Sequence, residues 1–185
     1  MFSSNTEQKP ANLVAFAFLL IAFLTGIASS FQLPTLSLFL TQEIRVSPTM
    51  VGTFYAINAV IGIILSQVLA RYSDRQNDRR KVIIFCCAVA ILGCLLFAYS
   101  RNYYMLALFG TTLLGFGSSS NPQSFALARE YAEKTKREAV MFTTIMRTQI
   151  SLAWIVGPPL SFAIALSWGF DFMYLVAALA FLFCA

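Results

Sequence analysis

Gln32, Asn58, Asn121, Gln123, Arg147 and Trp154 stand in stretches otherwise fit for hydrocarbon. They are amides with two donors and two acceptor lone pairs, a guanidinium with a rigid fork of donors, and an indole with one N–H. Burying such groups without partners costs several kcal/mol each, roughly 2–7 by transfer measurements. Two readings compete for them. They are glue that bonds one helix to the next, or they line a wet cavity through which something polar passes. Glue suits the serines, threonines and glycines nearby; the amides and Arg147 point toward the cavity.

The elements that must hold these groups follow from composition. The 185 residues are 58% hydrophobic and 11% charged, against about 45–50% and about 25% in soluble domains. Mean hydropathy is +0.73. Long apolar runs cover roughly 13–40, 50–70, 82–99, 104–128, 140–166 and 172–185. Only helices or closed barrels satisfy their own backbone in lipid, and runs of this length suit helices that cross a core of about 30 Å. The expectation is an all-α integral membrane protein, with a tail over residues 1–12 and a six-span domain over 13–185. Short connectors predict consecutive helices as antiparallel neighbours. The sixth run has only about 14 residues, near 21 Å of helix, so the expectation is a chain that stops inside its sixth helix.

Charge sets the orientation. Arg71, Arg75, Arg79, Arg80 and Lys81 lie between spans 2 and 3; Arg129, Lys134, Lys136 and Arg137 lie between spans 4 and 5; Lys9 precedes span 1. Only Arg45 and Arg101 fall on the opposite side. Basic loops face the cytoplasm, which predicts a cytoplasmic N-terminus. The net charge of +5 is read as this topology signal and not as a nucleic-acid surface. Cys86, Cys87, Cys94 and Cys184 all lie in apolar runs, without metal-ligand spacing, and read as small core residues. No cofactor or metal is expected, and the absence of a nucleophile–base pair within the spans argues against an enzyme.

Spans 1 and 4 each carry a proline beside amides, Gln32-Leu33-Pro34 and Asn121-Pro122-Gln123, at matching depths from their starts. Run in opposite directions, they suggest a three-plus-three inverted repeat of proline-interrupted helices, a pointer to a transport pathway. Polar residues recur at helical spacing on four spans: Thr25, Ser29, Gln32; Tyr55, Asn58, Gly62, Ser66; Gly117, Asn121, Ser124; Thr143, Arg147, Ser151, Trp154. Spans 3 and 6 lack such stripes and are expected to face lipid. In span 5, Ala153, Gly157, Ser161 and Ala165 form a second stripe of small residues, suited to close packing. Pro158 and Pro159 remove donors to the carbonyls of Trp154 and Ile155, which predicts a kink against a neighbour. Residues two apart point about 200° away from each other on a helix. Arg147 therefore belongs with the polar stripe and Gln149 with the packing stripe. Arg147 sits roughly 10 Å from the start of its helix, where it either reaches the cavity, meeting Asn121 and Gln123 across the hairpin, or snorkels to the headgroups.

The stretch ARYSDRQNDRRK resembles the pattern G-x-x-x-D-R-x-G-R-R-K of the major facilitator superfamily. Asp74-Arg75 and Arg79-Arg80-Lys81 match; Ala70 and Asn77 replace the glycines, and Asp78 is one extra residue. QLPTLSLF, SDRQNDRRKVIIFCC, FALAREYA and MRTQISLAWIVGPPLSF are similar to the bacterial sugar efflux transporters within it. The resemblance implies the six-helix N-terminal half of a major facilitator fold, without its C-terminal six-helix half. It implies an exporter of sugars or small glycosides in the bacterial cytoplasmic (inner) membrane, driven by proton antiport. It also implies a conformational switch at Asp74, Arg75, Arg79 and Glu130, and places Gly157-Pro158 among packing motifs between halves. Sugar hydroxyls call for planar amides, an arginine and an aromatic face, which the six residues named first supply. Two features depart from drug–proton antiporters: span 4 lacks an arginine, and no Asp or Glu lies inside a span. The alternatives are a multidrug-type efflux half, or an oligomeric channel or remnant.

Overall fold

The computed structural model describes residues 5–75, 79–135 and 138–185, with side chains from residue 13. Among them the chain is helical throughout, with no strand. We label α1 (Asn5–Gln42), α2 (Pro48–Arg75), α3 (Arg79–Tyr99), α4 (residues 103–134), α5 (Ala139–Trp168) and α6 (Phe170–Cys184). α4 joins a turn at Tyr103–Met105, a π-helical stretch at Leu106–Gly110 and an α-helix at Thr111–Lys134. Of the described helices, α1, α2, α3 and α5 are long and apolar enough to cross a membrane. The architecture agrees with the expected half of a major facilitator fold.

Helix ends overrun the apolar runs. α2 continues to Arg75 and α4 to Lys134, so Asp74, Arg75, Arg129 and Glu130 ride on helix ends and not on loops. A helix keeps its own hydrogen bonds past the point where side chains turn polar, and long basic side chains reach outward from it. α1 likewise begins at Asn5, ahead of its apolar run. The expected interruptions at Pro34 and Pro122 do not break their helices. α5 also runs unbroken through Pro158 and Pro159. Each proline removes one donor, and in hydrocarbon the rest of the backbone has no better partner than the helix.

Apart from α3 and α4, consecutive helices are not the main neighbours, contrary to the expectation from short connectors. α1 packs chiefly on α5 and α6, α4 on α2 and α3, and α3 on α6. Exchanging 1 with 4, 2 with 5 and 3 with 6 maps these pairs onto one another, the pattern an inverted repeat produces. Small residues explain the α1–α5 pair. A Cβ on Gly26 would stand 2.8 Å from the Cβ of Ala153, and one on Gly157 only 1.8 Å from Ser30 Oγ. Ser30 Oγ also reaches the Ala153 carbonyl at 3.3 Å. Ala153, Gly157, Ser161 and Ala165 are all buried along this seam.

Spans 3 and 6 are not simply lipid-facing. Ala90, Cys94 and Phe97 of α3 and Met173, Tyr174, Ala177 and Phe181 of α6 belong to the main core. Only their far faces, such as Phe85, Leu92, Leu182 and Phe183, are exposed. Burial on one side of an all-apolar helix leaves no polar stripe to betray it.

Candidate functional site

A cavity of about 380 Å³ lies between α1, α2 and α4, with Phe97 of α3 and Tyr174 and Phe181 of α6 completing its wall. Small-molecule sites fall in this range, about 300–1,000 Å³. Its polar side chains are Ser29 and Gln32 from α1, Asn58 and Ser66 from α2, Ser118 from α4, and Tyr174 from α6. Leu33, Leu36, Phe54, Ile63 and Leu114 fill the apolar remainder. Among the described residues, none that lines it is charged.

The three serines donate to their own helices. Ser29 Oγ bonds the Thr25 carbonyl at 2.9 Å, Ser66 Oγ the Ile63 carbonyl at 2.9 Å, and Ser118 Oγ the Gly115 carbonyl at 2.9 Å. With their protons committed, their lone pairs are left as acceptors. Gln32 Nε2 reaches only Cys94 Sγ, at 3.4 Å, a weak acceptor. Gly115 keeps the gap between α2 and α4 narrow: a Cβ there would stand 2.8 Å from Leu65 Cδ1. Tyr55 ties α2 to α1 by donating to the Leu33 carbonyl at 3.1 Å.

The six residues first singled out do not converge. Gln32 and Asn58 share the cavity. Gln123 is buried at the basic end of the bundle, where its Oε1 accepts from Arg79 Nη1 at 3.2 Å. Asn121 is half-buried away from the cavity wall, and its Oδ1 has no hydrogen-bond partner. Arg147 and Trp154 are on the exposed face of α5, which contributes nothing to the cavity. Arg147 meets neither Asn121 nor Gln123. Its guanidinium lies over the ring of Phe125, 5.6 Å from the centroid, a cation–π contact across the α4–α5 pair. The cavity is thus walled by α1, α2, α4 and α6, where the polar stripes predicted α1, α2, α4 and α5.

The residues matched to the loop motif form a second cluster. Arg79 Nη2 donates to Asp74 Oδ1 at 2.6 Å and Arg79 Nε to Glu130 Oε1 at 2.6 Å. Arg79 Nη1 adds Ser73 Oγ at 3.2 Å beside Gln123. One guanidinium joins the end of α2, the start of α3 and the end of α4. Glu130 lies seven residues after Gln123, two turns along the same face. Arg75 is exposed at the end of α2.

A third cluster, at the opposite end, escaped the sequence reading. Arg101 donates to Glu43 Oε2 at 3.3 Å and to Asp171 Oδ1. Its Nη1 also bonds the carbonyls of Phe97, Ala98 and Ser100 at 3.2, 2.8 and 3.2 Å, and it lies 5.3 Å over the Phe39 ring. Gly169, at φ +90°, lets the chain reverse in one residue between α5 and α6. That turn sets Asp171 in the first turn of α6. The only signal in the sequence was an arginine just past an apolar run.

Comparison with known proteins gives a consistent result. The family model described as Major Facilitator Superfamily matches residues 18–185. The chain is 56% identical over 182 residues to "Sugar efflux transporter A" of Dickeya chrysanthemi, covering 98% of this chain and 46% of the relative. It is 56% identical over 176 residues to "Sugar efflux transporter B" of Salmonella typhimurium, covering 95% and 45%. It is 52% identical over 182 residues to "Sugar efflux transporter C" of Escherichia coli, covering 98% and 46%. The chain spans a little under half the length of these curated relatives.

Proposed function

The chain belongs to the major facilitator superfamily, and from that premise we propose that it is the N-terminal half of an exporter of neutral sugars or small glycosides. The observation that carries the cargo class is the wall of the cavity, polar on four helices and without a formal charge. A polyol brings hydroxyls that both donate and accept; Ser29, Ser66 and Ser118 offer acceptors, Asn58 and Gln32 offer both. Phe54, Phe97 and Tyr174 offer ring faces for the C–H side of a sugar. A cationic drug would find no carboxylate here. The names of the relatives agree with this cargo.

Transport proceeds by alternating access, with a second six-helix half rocking against this one. Ten basic residues on one side against two on the other orient the chain in a bacterial inner membrane with its N-terminus in the cytoplasm. In that orientation the Asp74–Arg79–Glu130 cluster is a cytoplasmic latch, made and broken as α2 and α4 move relative to α3. Proton antiport, where this half takes part, acts on Asp74 or Glu130, since no carboxylate lines the cavity. Arg147 and Trp154, exposed on α5, meet the second half or the pathway between halves. Gly157 sets the α1–α5 seam that keeps this half rigid while it moves, with Pro158 and Pro159 following it on the less buried side of the helix.

The test joins this chain to the second half of the Dickeya relative and expresses the product in bacteria. Cells loaded with radiolabelled hexoses, disaccharides and alkyl glycosides should lose at least one of them faster than vector controls. Faster loss of tetraphenylphosphonium with unchanged sugar retention, at confirmed membrane expression, would establish the multidrug reading instead. Non-selective leakage of both probes would indicate a channel.

A further inference from the structure

Tyr174 is fully buried, and it heads the large side chains sealed from solvent. Its ring stacks on Phe97 at 5.1 Å and 29°, and meets Phe39 edge-on at 5.3 Å and 75°. Those contacts would hold a phenylalanine as well. The hydroxyl is what needs explaining: it is buried and, among the described residues, has no hydrogen-bond partner. A buried hydroxyl without a partner is a net cost to the fold, and native interiors leave few of them. Asn121 and Ser124 also carry unpaired atoms, but neither lines the cavity; Tyr174 does. Gln32, on the same wall, is held by nothing stronger than a sulfur contact from its amide. Two under-satisfied polar groups, from α1 and α6, therefore border one uncharged cavity.

We propose that Tyr174 is a cargo-contacting residue that determines specificity, its hydroxyl donating to one hydroxyl oxygen of the sugar while the Gln32 amide exchanges Cys94 for the same cargo. This rests on the sugar reading above and deepens it. It moves part of the binding site from the face of the bundle into its interior, onto a helix that is apolar apart from Asp171 in its first turn. The aromatic cage of Phe97 and Phe39 leaves the Tyr174 ring one orientation, so its hydroxyl reads a single position on the sugar.

The experiment uses the chain in lipid nanodiscs and joined to the second half of the Dickeya relative. Equilibrium binding is measured for a hexose, its methyl glycoside and the set of monodeoxy analogues. The wild type should disfavour one monodeoxy analogue by about tenfold, the worth of one net hydrogen bond. Tyr174→Phe should bind the parent sugar about tenfold more weakly and no longer distinguish that analogue, with its thermal midpoint unchanged or raised. A merely structural tyrosine would not erase discrimination at a single hydroxyl. If Tyr174→Phe binds the parent as tightly as wild type and keeps the whole deoxy profile, the inference is overturned and the sugar reading stands. If the wild type binds none of these sugars in either form, both fall together.

Discussion

Arg79 begins α3 and Arg101 lies just beyond its end, and each guanidinium joins two carboxylates from elsewhere in the chain. The surroundings differ in sign. The start of a helix carries the positive end of its dipole, and Arg79 shares it with Arg80 and Lys81. Among the described residues, Asp74, Glu130, Ser73 and Gln123 alone hold Arg79 there. The end of a helix presents free carbonyls and negative potential. Arg101 uses three of those carbonyls as well as its carboxylates. Arg101 therefore keeps partners on α3 itself whatever the other helices do. Arg79 has none on α3 and loses all of them if α2 and α4 shift. On the proposed reading one is a clasp and the other a latch.

The largest effect should come from breaking the latch. With Arg79→Gln in the two-half chimera, sugar efflux should fall at least about tenfold, because a bias of only about 1.4 kcal/mol between conformations is a factor of ten. Some stability should go with it, about 1 kcal/mol, since buried Ser73 and Gln123 lose their partner while the more exposed carboxylates are released to water. The check is efflux normalised to folded protein, beside a melting curve. A drop in melting temperature with unchanged normalised efflux would make Arg79 a clasp like Arg101 and erase the contrast.

Breaking the clasp should do the reverse. Arg101→Gln loses its charge-assisted bonds to carbonyls and to Glu43 and Asp171. The guanidinium is one-third exposed, which discounts the ion pairs, so the expected loss is about 1–3 kcal/mol of stability with normal efflux per folded molecule. Arg101→Lys should recover only part of it, because a point charge cannot serve carbonyls and two carboxylates at once. Efflux that collapses at unchanged stability would show that the far end also switches.

The cluster around Arg79 was partly legible beforehand and the one around Arg101 was not, because a family motif marks the first and nothing marks the second. The family resemblance named Asp74, Arg75, Arg79 and Glu130 together, with Asp74 and Arg79 only five residues apart, whereas Gln123 was assigned to the cargo site. Arg101 finds Glu43 and Asp171 at separations of 58 and 70 residues, which no local pattern encodes. Helix positions were legible because unbroken apolar length is itself the signal in lipid. Helix partners were not: the medium outside is as apolar as the core, so α6 gives no periodic sign of which face is buried. Tyr174 was hidden for that reason. Gln123, Arg147 and Trp154 were recognised as costly residue types, but type does not say which polar cluster, if any, a side chain joins.

The smallest and most discriminating prediction concerns the acids. Asp171 is in the first turn of α6, where the dipole favours a carboxylate; Asp74 is in the last turn of α2, where it does not. Each also pairs with an arginine while remaining more than half exposed, at 57% and 65%. For Asp171→Asn the lost ion pair and the lost dipole term add, giving a destabilisation of about 0.5–1.5 kcal/mol. For Asp74→Asn the two terms oppose, and the net change in stability should be close to zero. Melting curves of both variants at low and high salt separate the contributions, since salt screens the exposed pairs and weakens the difference. Equal losses at the two positions would mean that ion pairing dominates both ends. The helix dipole would then no longer be what makes one arginine a fixture and the other a switch.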